Sequence, residues 1–130
     1  PVISSAASDV YKRQGVNISP MEVTLINLAP YITLLPALII SKARSEKIFG
    51  IIFLFHNATT MANASFHIGI STAQNTFSPG MISSLFFYIP LFIYAILLNK
   101  DMGLSNRLII AISLYGFIGH YVLIWLVNIF

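Results

Sequence analysis

The 130-residue chain is 57% hydrophobic and 8% charged, with a mean hydropathy of +0.84, a net charge of +3 and no cysteine. Soluble domains carry about a quarter charged residues, so an ordinary water-soluble globule is excluded, as are a disulfide scaffold, a thiolate metal site and a cysteine nucleophile. The basic residues sit in short patches between apolar runs rather than on one face, a pattern that serves membrane orientation and not nucleic-acid binding.

Residues 1–14, PVISSAASDVYKRQ, share no pattern with the rest and lack the apolar core and cleavage site of a signal peptide. They resemble translated sequencing adapter, and a disordered tail without packed contacts is expected of them. On that reading the chain is a metagenomic fragment cut at Gln14, with an upstream helix missing. Residues 15–130 then form a single transmembrane helical domain.

Charged residues are absent from 23–41, 48–99 and 108–130. A membrane helix takes about 20 largely apolar residues, so these runs hold one, two and one spans. The first covers about 21–41 and contains Pro30 and Pro36, each of which removes a backbone donor and bends a helix. Lys42, Arg44, Glu46 and Lys47 predict a short loop at 42–47 and hence an antiparallel hairpin. The second span covers about 48–73 and ends at the turn-forming run QNTFSPG, 74–80, whose Asn, Ser, Pro and Gly are the residues turns require. The third covers about 81–98 with Pro90 at its middle, and the loop 99–107 carries Lys100, Asp101 and Arg107. The fourth covers about 108–129, where Trp125 and Phe130 suit an interfacial belt. The fold class is an all-α polytopic membrane bundle of four transmembrane helices. Its basic residues beyond the tail all lie in 42–47 and 99–107, so both loops face the cytoplasm of a multi-pass cell-membrane protein.

The second span carries the chemistry. His56, Thr60, Asn63, His67, Ser71 and Gln74 are spaced 4, 3, 4, 4 and 3, which keeps all six on one helical stripe. Lipid cannot satisfy such a stripe, so it faces protein or a watery cleft. The serine and threonine hydroxyls and Asn63 read as bonds to neighbouring helices, with Ala58 and Ala62 permitting close approach. The histidines read equally as site or as structural hydrogen bond, because ionisable groups inside a bilayer are costly. His120 adds a third imidazole. From the helix starts it lies about 18 Å deep, nearest Thr60 and Asn63, whereas His67 lies about 28 Å deep. His56 and His67 are about 16 Å apart along one helix, too far to share a metal. No acidic residue lies within a span, so a complete metal site or carboxylate pair cannot be built from these residues alone. Asn57-Ala58-Thr59 and Asn63-Ala64-Ser65 match the glycosylation pattern by chance.

Asn63-Ala-Ser-Phe-His67-Ile-Gly, then Phe77-Ser-Pro79-Gly80-Met-Ile, then Tyr88-Ile-Pro90-Leu is similar to the C-terminal half of the HXXEE-domain integral membrane proteins. There an Asn, a His, a Tyr-Thr-Pro-Gly-like turn and a later Pro recur in that order. The resemblance covers 55–98. It implies an unassigned biochemical role and pairs a later histidine, here His67, with a histidine and two glutamates on an early helix. In His56-Asn57-Ala58-Thr59-Thr60 threonines stand where the glutamates should be, which places the acidic motif upstream.

Three functions stay open. One is an intramembrane enzyme or metal-binding protein with its acidic half missing, His67 acting as base or divalent-metal ligand and Asn63 orienting it. Another is a small transporter or channel subunit lined by the stripe. The third is a structural membrane assembly protein glued along the same stripe. The expected partners are the lipid bilayer and the missing N-terminal helix of the same chain, with no nucleic acid.

Overall fold

The computed structural model describes residues 19, 21, 34–73, 75 and 79–129. The expected tail 1–14, most of the first span including Pro30, and Gln74 lie outside them. The described elements are all helical. They are α1 (34–44), α2 (Glu46–Ala73), α3 (Pro79–Ser83), a π-helical turn (Ser84–Tyr88), α4 (Ile89–Asp101) and α5 (Asn106–Ile129).

The loop expected at 42–47 is reduced to a single residue. Residues 41–44 are helical, α2 begins at Glu46, and only Ser45 interrupts. The Ser45 N–H donates to the Ser41 carbonyl at 2.8 Å and the Phe49 N–H donates to the Ser45 carbonyl at 3.0 Å. These two bonds close α1 and open α2 around a one-residue interruption at Ser45. The segment Lys42-Ala-Arg-Ser-Glu-Lys47 is charged, but it holds neither Gly nor Pro, and Ala, Arg, Glu and Lys are strong helix formers, so helix extends to Arg44 on one side and from Glu46 on the other.

The end of α2 is set by local chemistry. Asn75 adopts φ 49°, the left-handed conformation that commonly closes a helix and that Asn tolerates. The chain re-enters helix at Pro79, whose missing N–H costs nothing in a first turn.

The π-turn has an identifiable cause. Pro90 stands in the first turn of α4, where it offers no N–H to the carbonyl four residues back and its ring would strike that carbonyl. The helix responds by widening: the Ile89 N–H donates to the Ser84 carbonyl, an i to i−5 bond. Pro90, expected only as a residue in the middle of the third span, thus makes itself felt as a π-turn.

At its other end α4 closes in a Schellman motif. The Gly103 N–H donates to the Lys100 carbonyl at 2.9 Å and the Leu104 N–H to the Asn99 carbonyl at 3.0 Å, with Gly103 at φ +78°. This pairing satisfies the orphan carbonyls of the last turn. Leu104 packs against the core, and the Ser105 hydroxyl caps α5 by accepting the Leu108 N–H at 3.3 Å. The second loop is therefore 102–105, shorter than the expected 99–107.

α2 is the axis of the molecule. α4 packs antiparallel on one side of it and α5 packs parallel on another, while α4 and α5 barely meet. The core is made of Leu54, Ala58, Ala62, Ala64, Ala95 and Ile109. The large apolar side chains point the other way, among them Phe86, Phe87, Tyr94, Leu114, Tyr115 and Trp125. Small residues inside and large apolar residues outside is the distribution of helices packed within lipid, where burying bulk in the protein gains nothing over burying it in acyl chains. By length and composition, Met81–Asp101 is the one helix among the described residues that is long and apolar enough to cross a membrane. In α2 the polar residues from His56 to His67 dilute an otherwise apolar segment.

Candidate functional site

The α2–α5 interface is built on a close backbone approach. A Cβ placed on Gly116 would lie 2.7 Å from the Ala58 Cβ and 2.7 Å from the Phe55 carbonyl oxygen, so α5 seats against α2 only because position 116 carries no side chain. Ala58 and Ala62, expected to permit such an approach, are both fully buried. Gly116 is the matching half that the sequence reading did not single out.

His120 lies one helical turn beyond Gly116. Because α2 and α5 run in the same direction, that turn carries His120 along α2 from the level of Ala58 toward Asn63 and His67. The two imidazoles, His67 on α2 and His120 on α5, come close enough across the interface for their charges to interact. The straight-helix depths differ by about 10 Å, and the fold places His67 and His120 on the facing helices α2 and α5. His120 is half-buried, and its Nε2 is shielded from solvent with no hydrogen-bond partner among the described residues. Its ring stands edge-on to Tyr121 at 5.7 Å, as the His67 ring does to Phe66 at 6.1 Å. Asn63 and His67 are half-buried.

The rest of the stripe divides. His56 and Thr60 are half-buried and Ser71 is buried. The Thr60 hydroxyl donates to the Asn57 carbonyl at 3.0 Å, within its own helix. Thr59, Ser65 and Thr72 likewise donate to carbonyls four residues back. The expected bond from Thr60 to a neighbouring helix is therefore not made, because a hydroxyl on a helix reaches its own preceding carbonyl more easily than a partner's.

An interhelical bond comes instead from Asn99, which the sequence reading left in a loop. It is fully buried, and its Nδ2 donates both to the Gly50 carbonyl of α2 at 2.9 Å and to the Ala95 carbonyl of α4 at 2.8 Å. Its backbone carbonyl also accepts the Leu104 N–H, so one residue joins α2, α4 and the turn to α5. The available signal was positional: Asn99 follows Ala95 by four and Phe92 by seven, on the face of α4 that packs on α2. Asn57 was also overlooked; it is buried and donates to the Phe53 carbonyl at 2.8 Å.

Two imidazoles supply two nitrogen donors, half of a tetrahedral set or two-thirds of a catalytic one. Among the described residues no three His, Cys, Asp or Glu side chains converge on a point that could hold a metal ion. Comparison of the chain with protein-family models, with curated proteins and with solved structures finds no match.

Proposed function

We propose that the chain is a multi-pass membrane protein whose α2–α5 interface binds a divalent metal ion through His67 and His120, with Asn63 orienting His67. The buried His120 Nε2, which has no hydrogen-bond partner among the described residues and lies within electrostatic reach of His67, carries the reading. A neutral imidazole donates one ring nitrogen to a metal while the other remains available for an orienting hydrogen bond. Further donors come from an acidic motif on an upstream helix, as the resemblance to the HXXEE-domain family implies.

The membrane assignment is supported by the outward-facing aromatic and aliphatic side chains and by the uncharged lengths of α2, Met81–Asp101 and α5. These three are the proposed crossings. A fourth, at 21–41, requires the chain to reverse at Ser45, the one non-helical residue between α1 and α2. The ends that carry Lys42, Arg44, Lys47, Lys100 and Arg107 lie together, since Asn99 of α4 bonds to Gly50 of α2, and that end is cytoplasmic by the positive-inside rule. The alternative of an assembly protein glued along the stripe draws less support, because the Thr60 hydroxyl is spent within its own helix.

The test is metal content. The protein expressed with its upstream reading frame restored, purified in detergent and dialysed against zinc, should retain metal in the wild type and in His56→Ala, and lose most of it in His67→Ala and in His120→Ala. Equal retention in all four, with unchanged helical content, would remove the interface from consideration as a metal site.

A further inference from the structure

A second feature lies at the basic end, away from the imidazoles. Glu46, Phe49 and Phe53 fall at spacings of 3 and 4 on one face of α2, and Lys42, at the end of α1, joins them across Ser45. Together with Tyr94, Leu98 and Met102 of the α4 side they line a cavity of about 320 Å³. The Lys42 ammonium lies 5.3 Å from the centre of the Phe49 ring, within cation–π range, so this exposed side chain folds back over the groove. Phe49 stacks on Phe53 at 5.8 Å, and Phe53 meets Tyr94 edge-on at 6.3 Å, giving the groove an aromatic wall that continues toward the apolar middle of the bundle.

The chemistry of the groove is therefore graded from a cation and a carboxylate at the mouth to aromatic and aliphatic carbon inside. Its surroundings are electropositive: Lys42, Arg44, Lys47, Lys100 and Arg107 stand against only Glu46 and Asp101. We propose that this groove is a binding site for one anionic phospholipid, its phosphate at Lys42, a headgroup hydroxyl donating to the Glu46 carboxylate, and an acyl chain along Phe49, Phe53, Tyr94 and Leu98. A cationic rim over an apolar channel at the cytoplasmic face matches the charge and the amphipathic shape of such a lipid. Glu46 adds selectivity, because a headgroup that offers a hydrogen-bond donor satisfies it and a choline headgroup does not.

The inference rests on the membrane reading above but not on the imidazole pair. The full chain would be purified in mild detergent, mixed with phosphatidylglycerol or with phosphatidylcholine, and the lipid retained per protein measured by native mass spectrometry. Phosphatidylglycerol should be retained in preference. Lys42→Gln should cut its retention about fivefold, the equivalent of the roughly 1 kcal/mol that one basic side chain contributes at an anionic surface. Leu98→Trp, which fills the groove, should abolish retention, whereas Lys47→Gln should leave it unchanged. Equal losses in Lys42→Gln and Lys47→Gln would reduce the effect to diffuse charge attraction, and equal retention of the two lipids would reduce it to an apolar surface; either overturns the site. A chain that stays monomeric without detergent overturns the membrane reading itself, an outcome distinct from detergent-requiring protein that retains no phosphatidylglycerol.

Discussion

Gly116 and Asn99 each do work that no other side chain could do in the same place. At Gly116 a methyl group would overlap the Ala58 Cβ and the Phe55 carbonyl at 2.7 Å, and a backbone oxygen cannot step aside as a flexible side chain would. Gly116→Ala is therefore expected to push α5 off α2 and cost about 1–3 kcal/mol, read as a lower midpoint of thermal unfolding in detergent. At Asn99 the amide nitrogen faces two carbonyls. Asn99→Ala should lose on the order of 1 kcal/mol, the scale of interhelical hydrogen bonds in membranes. Asn99→Asp should lose more, since it sets a carboxylate oxygen against those carbonyls, and the same unfolding measurement orders the two variants. The sequence made Ala58 and Ala62 legible as a packing face because periodicity along one helix identifies a face. It did not disclose Gly116, Asn99 or the placement of His120 opposite α2, because these depend on which helix lies opposite, and single-helix periodicity carries no such information.

At the scale of elements, composition located the helices better than it located their ends. The uncharged runs correctly enclose most of α2, α4 and α5, because apolar length is the property a bilayer selects. The boundaries went astray where charge was taken for a turn. Residues 42–47 are good helix formers with no breaker, whereas α4 stops at Asp101 because Gly103 can take φ +78° at no steric cost. Gly103→Ala should accordingly destabilise the α4–α5 turn by about 1–2 kcal/mol, while Ser45→Ala should leave stability within about 0.5 kcal/mol, or raise it slightly. The π-turn offers a sharper test. It holds one residue more per turn than an α-helix, and Pro90 is the reason for it. Deleting Phe86 together with Pro90→Ala should let an α-helical turn form while Ala95 and Asn99 keep their seats on α2. Deleting Leu97 instead shifts Asn99 away from Gly50, and the folded yield of the two deletion variants should differ in that order.

The described residues present their bulk to the outside and their small residues to one another, and the basic ends of α2, α4 and α5 lie together. Since the chain has no native cysteine, single cysteines placed at Arg44, Gly103 and Asn75 report the arrangement directly. In sealed vesicles the first two should react with a membrane-impermeant thiol reagent from one side and Asn75 from the other. Labelling of Arg44 and Asn75 from the same side would refute the topology. The central position of α2 has a further bearing on how such a protein is made. Ribosomes release helices in order, and α2 leaves before either helix that packs on it. α4 then emerges with a partner already waiting, and Asn99, near its end, fastens it to the first turns of α2 as synthesis passes. α5 comes last and needs almost nothing from α4, only the strip of α2 around Ala58 that is still uncovered. Among these three helices only α2 waits for partners, so α4 and α5 can each dock on it as they emerge.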